Sequence, residues 1–317
     1  MNPDAPLAAS SSPDPAPHPS LVRRVFIGQN GLRSGWRLLI YLAIVAAVLG
    51  AIAKFLKVGN SAGRTSLSPI ETGGGAAALF LISLLAAWIM SRIEGRSLGQ
   101  YGLPWVQAFH KDFWVGLLWG IGTTSATVLV IFLLHGVTVS GGPVHGGKLL
   151  LSAAAWALAF LFVGFNEEFG FRGYLQFTLT TGIGFWPAAF VIAGLFGLAH
   201  MGNSGENMFG ELSVVLFGLL FCLFLRRRGT LWWAVGFHMG YDFAETFLWG
   251  EPDSGLLPTH NWFSSSFSGP KWLTGGTVGP EASVITPIML VIVGLLFSLC
   301  YREVKYSTTL KQVGRLG

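Results

Sequence analysis

Apolar runs long enough to cross a bilayer recur eight times along this chain, and that pattern leaves few folds open to it. They lie at about 38–56, 76–93, 113–134, 149–165, 186–200, 212–225, 231–249 and 286–301, and about 20 apolar residues span the hydrocarbon core. The fourth run is expected to continue through polar residues to about 180. In lipid every backbone amide must be satisfied within its own segment, so such runs are helices. Composition agrees: 52% of the 317 residues are hydrophobic and 11% are charged, whereas soluble domains carry about a quarter charged residues. The expected fold class is all-α, a polytopic membrane protein with about eight transmembrane helices.

Charge places the termini. Connections on the cytoplasmic side retain Lys and Arg, and 15 of the 20 cations fall in one alternating set, from Arg23 and Arg37 through Arg92, Arg96, Lys111, Arg172 and Arg226–Arg228 to Arg302 and Arg315. Lys54, Lys57, Arg64, Lys148 and Lys271 fall in the other. The chain is therefore expected in the cell membrane, multi-pass, with both termini cytoplasmic. A basic rim facing anionic lipid accounts for the net charge of +5, so no nucleic-acid partner is implied. Residues 1–22, rich in Pro, Ala and Ser, read as a disordered cytoplasmic tail, and 23–317 as a single transmembrane helical domain. The connection 250–285 is expected on the outer side, with Trp262, Phe263, Phe267 and Trp272 at the bilayer interface. Cys222 and Cys300 both fall in spanning segments and offer no disulfide framework.

Against this apolar background the ionisable residues stand out. Glu167, Glu168 and Arg172 lie in FVGFNEEFGFRGYLQF, His200 closes AFVIAGLFGLAH, and His238 and Asp242 lie in LWWAVGFHMGYDFAETFLW. Charged side chains at membrane depth are expensive and mark functional sites by default. Glu167 lies 16 residues before the turn at Ile183–Gly184 and His200 lies 16 residues after it. An antiparallel hairpin brings both to one depth. Glu168 and Arg172, four apart, can pair; Glu167 then faces elsewhere. His238 and Asp242 are also four apart and share a face.

Two chemistries fit these residues. The carboxylate and imidazoles of Glu167, His200 and His238 can hold a divalent metal such as zinc, which makes bound water acidic. Without metal, a buried glutamate can deprotonate water while a histidine stabilises the oxyanion. Either arrangement hydrolyses an amide.

Glu167-Glu168-x-x-x-Arg172, Phe196-x-x-x-His200 and His238-x-x-x-Asp242, in this order on successive helices, resemble the CPBP intramembrane proteases, also called the Abi or CAAX amino-terminal protease family. The resemblance covers about residues 149–250, the expected catalytic core. It implies a membrane-embedded endopeptidase, of metallo or glutamate type, acting on a membrane-anchored protein or peptide. Glu167 would activate water with His200 as partner; Glu168 and Arg172 would position that pair; His238 and Asp242 would bind the oxyanion or a metal. The family's last motif often ends in Asn where this chain has Asp242. The site is expected to open toward the cytoplasm.

Blander readings compete. Glu168 and Arg172 could be a structural ion pair, His238 and Asp242 a bundle-stabilising hydrogen bond, and His200 a helix-end residue. Glu167 resists such a reading, because a second carboxylate beside a paired one has no structural need. The remaining ionisable groups, including Glu206, Glu211, Glu245, His110, His135 and His145, read as loop or interface residues. Two other functions fit less well. A proton-coupled transporter would favour paired broken helices in two related halves, and no such symmetry is visible. A non-catalytic scaffold or immunity protein would leave Glu167 unexplained. No zincin-type HExxH string occurs, and Tyr241-Asp242 lacks the second GxGD helix of presenilin-like aspartyl proteases.

Overall fold

The computed structural model describes residues 25–28, 31–56, 65–202 and 207–306; the expected tail, 1–22, lies outside them, as does Glu206. Each of the eight apolar runs coincides with helix. These are α1 (Ser34–Leu56), α2 (Pro69–Glu94), α3 (Lys111–Leu133), α4 (Gly147–Arg172) with α5 (Tyr174–Ile183), α6 (Phe185–His200), α7 (Met208–Arg228), α8 (Trp232–Asp242) with a π-helical extension (Phe243–Trp249), and α10 (Ile285–Cys300). Five are long and apolar enough to cross a membrane, counting α4–α5 as one span of 37 residues. The chain is thus an all-α polytopic membrane protein.

The run beginning near Leu149 does pass through the two glutamates. It ends at Arg172, and Gly173 (φ −78°, ψ −121°) starts a new helix. Elsewhere the helix ends follow their sequence signals. Ser68 caps α2 by accepting from Glu71 N at 3.4 Å, Pro69 takes the first turn, and Gly95 (φ 64°) closes the far end. Arg226–Arg228 followed by Gly229 (φ 78°) end α7.

Consecutive helices run antiparallel, which gives the bundle two chemically distinct ends. At the basic end Arg37 binds Glu94 Oε2 at 2.9 Å and Thr181. There too Arg228 holds Asp112, with Nε to Oδ2 at 3.1 Å. The opposite end carries the polar connections. Strand β4 (Val137–Gly141) pairs antiparallel with β6 (Phe263–Phe267), and β3 (Ser66–Leu67) pairs parallel with β5 (Leu257–Pro258). A short hairpin of β1 (Ile27–Gly28) and β2 (Gly31–Leu32) precedes α1, and a turn of helix, α9 (Lys271–Thr274), precedes α10. The connection 250–285 is therefore a structured cap, not the plain loop its Gly and Ser content suggests. Of the four aromatic residues expected at the interface, Trp262 and Trp272 are exposed, whereas Phe263 stacks on Trp249 and Phe267 packs against Val128, Ile131, Val137 and Leu273.

Helix α8 is held in the middle of the bundle by backbone contact. A Cβ on Gly116 or Gly120 of α3 would meet Trp233 O or Phe237 O at 2.2 and 2.1 Å, and one on Gly236 or Gly240 of α8 would meet Phe113 O or Leu117 O at 2.1 and 2.2 Å. Two GxxxG faces thus press together reciprocally, the small-residue solution to packing without a hydrophobic driving force between helices. Gly164 of α4 approaches Val235 O similarly, at 3.1 Å. These contacts fix where α8 presents His238 to α4.

Candidate active site within the helical bundle

Three helices deliver the predicted residues to one place, and a fourth walls it. Glu167 and Glu168 come from α4, His200 from the end of α6, and His238 and Asp242 from α8, while α7 supplies the apolar wall. Glu167 Oε2 lies 3.9 Å from His200 Nε2 and 3.5 Å from His238 Nε2. His238 Nε2 is also 3.6 Å from Asp242 Oδ2. The equal chain distances of Glu167 and His200 from the α5–α6 turn therefore do translate into equal depth.

A second layer holds these groups. His238 donates from Nδ1 to Glu168 Oε1 at 2.9 Å, and its ring stacks on Phe221 at 5.1 Å between centroids. Glu168 in turn lies 3.5 Å from Arg172 Nη1, and both side chains are fully buried. The rest of the guanidinium finds aromatic faces instead of acceptors, with its carbon 4.1 Å from the Phe196 ring centre and 5.2 Å from that of Phe221. His200 Nδ1 lies 2.8 Å from Phe196 O. That carbonyl can only accept, so Nδ1 carries a proton and Nε2 is the nitrogen that faces Glu167. At 3.9 Å, Nε2 and Glu167 Oε2 are too far apart for a direct hydrogen bond and leave room for one bridging water.

The cluster lines a cavity of about 210 Å³, walled by Phe160, Val163, Phe196, Phe217, Phe221 and Tyr241. The cavity also reaches Leu67, Thr72, Gly210, Asp253, Ser254 and Glu281. All of these lie at the end opposite Arg37, Arg96 and Arg226–Arg228. The first and last described residues lie at the basic end, away from these lining residues. Arg172 does not belong with the loop cations that set the charge bias, since it is buried in the bundle.

Sequence reasoning missed an acidic layer at the cavity mouth. Glu245, read as an interface residue, is 1% exposed, and Glu251 is fully buried. Together with Asp253 and Glu281 they lie above Glu167, Glu168 and Asp242, so seven of the chain's 15 acidic residues gather in one region. Burial raises the carboxyl of Glu251 above the usual range, and the charge of Glu281 adds to the effect. Burial likewise raises Asp253, against a hydrogen bond from Thr246. The signal available in the sequence was this concentration: Glu245, Glu251 and Asp253 fall within nine positions of a chain poor in acids.

Among the described residues, the set of three such donors whose ligand atoms all lie within 4.8 Å of one another is Glu245, Asp253 and Glu281. The expected metal ligands Glu167, His200 and His238 do not close to that extent as a trio. The chain also contains Gly202-Asn203-Ser204-Gly205, a GxSG string of the kind rhomboid-like serine sites use. Ser204 lies outside the described residues.

Comparison with known proteins agrees with the geometry. Residues 149–244 match the family model described as "Rce1-like: Type II CAAX prenyl endopeptidase Rce1-like". No curated protein matches the chain. The matched segment contains Glu167, Glu168, Arg172, His200, His238 and Asp242, and the model that it matches is one of the CPBP (Abi or CAAX amino-terminal protease) family.

Proposed function

We propose that this chain is an intramembrane endopeptidase that hydrolyses a peptide bond in a membrane-anchored protein or peptide with water activated by Glu167. The observation that carries this reading is the 3.9 Å pair of Glu167 Oε2 and His200 Nε2 inside an apolar-walled cavity. A water bridging the two gives one hydrogen to each, which points its oxygen lone pair away from both. Glu167 takes the proton as that oxygen attacks the scissile carbonyl carbon. His238 has carboxylate acceptors at both nitrogens, so a doubly protonated ring donates to Glu168 through Nδ1 and to the new oxyanion through Nε2. Collapse of the intermediate breaks the C–N bond, and protonated Glu167 returns its proton to the leaving amine. Glu168 and Arg172 are positioning residues that set the ring of His238. No step runs through a metal, because the three expected ligands do not close as a set.

The apolar walls suit an extended or lipid-bearing segment, and the family match favours a substrate anchored in the bilayer. Purified wild type, Glu167→Gln and Ser204→Ala would be incubated with a membrane-peptide library, with and without a chelator. Cleavage by wild type and Ser204→Ala, with a loss of about 10²–10⁴-fold in Glu167→Gln, is the expected result. Cleavage retained in Glu167→Gln and lost in Ser204→Ala would assign a serine site instead. A wild type without activity on any member of the library would favour the scaffold reading. Inhibition by the chelator that Zn²⁺ reverses and Ca²⁺ or Mg²⁺ does not would return a metal to the mechanism.

A further inference from the structure

The acidic layer at the cavity mouth has no part in the steps above. Glu245 comes from the π-helical extension of α8, Asp253 from the turn after it, and Glu281 from the turn before α10. Each places a carboxylate oxygen within 4.8 Å of those of the other two. Glu245 is 1% exposed, and neither of its oxygens has a hydrogen-bond partner. Asp253 Oδ2 accepts from Thr246 Oγ1 at 3.2 Å, and Glu281 Oε2 accepts from Ser254 N at 3.2 Å and Ser254 Oγ at 3.4 Å. These donors orient the two carboxylates. Glu251, fully buried with both oxygens unpartnered, adds a further acid nearby.

Burying carboxylates against one another is costly unless a positive charge joins them. Three chain segments converge here, and every facing atom is a hard oxygen, the donor type that selects calcium or magnesium over zinc. We propose that Glu245, Asp253 and Glu281 form a binding site for a divalent cation of the calcium or magnesium kind at the mouth of the cavity. Asp253, Ser254 and Glu281 line the same cavity as Glu167. An ion there fastens the connection 250–284 to the end of α8 and sets the width of the opening. The site stands on its own donors and does not depend on the peptidase reading.

The test uses the full chain in detergent, stripped with chelator and then titrated separately with Ca²⁺, Mg²⁺ and Mn²⁺. Mn²⁺ binding is read directly by electron paramagnetic resonance, and each ion's effect is read as a shift in melting temperature. One ion should bind per chain, with a dissociation constant of about 10⁻⁵–10⁻³ M, and raise the melting temperature. Glu245→Gln and Glu281→Gln should weaken binding at least about tenfold, whereas Glu167→Gln should bind as wild type does. Absence of saturable binding to wild type would overturn the proposal without recourse to any variant. Loss of the ion in Glu167→Gln would place it in the inner cluster, and so would also overturn it. So would a wild type indifferent to all three ions together with a Glu245→Gln chain that melts higher, since a shared proton would then hold the cluster.

Discussion

His238 is held through Nδ1 by Glu168 at 2.9 Å, and Glu168 is itself fully buried 3.5 Å from Arg172. The ring is therefore oriented by a carboxylate that no solvent screens. Its other nitrogen is left to face Glu167 and Asp242. One consequence is that Glu168 matters to His238 and to Arg172 in separable ways.

Glu168→Gln keeps an acceptor for Nδ1 but removes the charge opposite Arg172. Leaving that guanidinium uncompensated should lower stability by about 3–5 kcal/mol. Losing the charge on the partner of His238 should lower kcat by about 10–100-fold with KM little changed. The double variant Glu168→Gln/Arg172→Met should recover stability and not kcat. Denaturant unfolding and cleavage kinetics on the three chains check this, and equal recovery of both quantities would make the pair purely structural.

The reciprocal glycine faces of α3 and α8 give a sharper structural contrast. Gly120→Ala would drive a methyl into Phe237 O, 2.1 Å from the ideal Cβ position, and displace the helix that carries His238. Cleavage should be lost together with thermal stability. Gly122→Ala, two residues along the same helix, meets nothing within 4 Å. It should leave activity intact and stabilise α3 slightly, by no more than about 1 kcal/mol. Matched melting curves and turnover rates for the two variants separate a close-packing role from a general intolerance of α3 to substitution.

The legibility of this molecule in its sequence follows its physics. Helices were readable because lipid forces apolar runs of fixed length to satisfy their own backbone. The inner cluster was readable because Glu167, His200 and His238 are anomalies in those runs, and an antiparallel hairpin converts equal chain distance into equal depth. The strands β4 and β6 were not, since Val137–Gly141 and Phe263–Phe267 are five residues each, rich in Ser, and the Val-Thr-Val-Ser alternation of β4 is too brief to stand out beside the spanning helices. Glu251, Asp253 and Glu281 were not for a related reason. They sit in a connection that looks solvated, and only the pairing of β3 with β5 and β4 with β6 folds that connection back over the bundle end. The direction of the cavity likewise depends on that fold-back, which charge counting cannot see.

Asn207 is a place where one side chain serves both the bundle and its cap. Its Oδ1 accepts from Phe209 N at 2.8 Å and Gly210 N at 3.2 Å, starting α7, while Nδ2 donates to Ala282 O at 3.2 Å. Asn207→Ala should cost about 1 kcal/mol for the helix cap alone. Asn207→Asp keeps the cap and loses the donor to Ala282. If the tie to the cap matters, Asn207→Asp should show faster limited proteolysis within 250–284 than wild type at equal melting temperature. Identical digestion would confine the role of Asn207 to α7.

Asp242 is the residue at which this chain departs from the family's usual Asn, and the geometry says what the difference does. Asp242 Oδ2 lies 3.6 Å from His238 Nε2, on the same nitrogen that the mechanism offers to the oxyanion. A carboxylate there competes with the oxyanion for that proton, and its own charge opposes the developing one. Asp242→Asn replaces a competing acceptor with an amide able to donate. On the proposed mechanism Asp242→Asn should retain or raise kcat, and Asp242→Ala should keep His238 in place yet fall short of the Asn variant. Removing one oxyanion donor typically costs about 10²–10³-fold, so an Asp242→Asn chain as inactive as Glu167→Gln would mean that the carboxylate takes part in the chemistry as a base or ligand. Cleavage rates for the two Asp242 variants, measured at saturating substrate, decide between these roles.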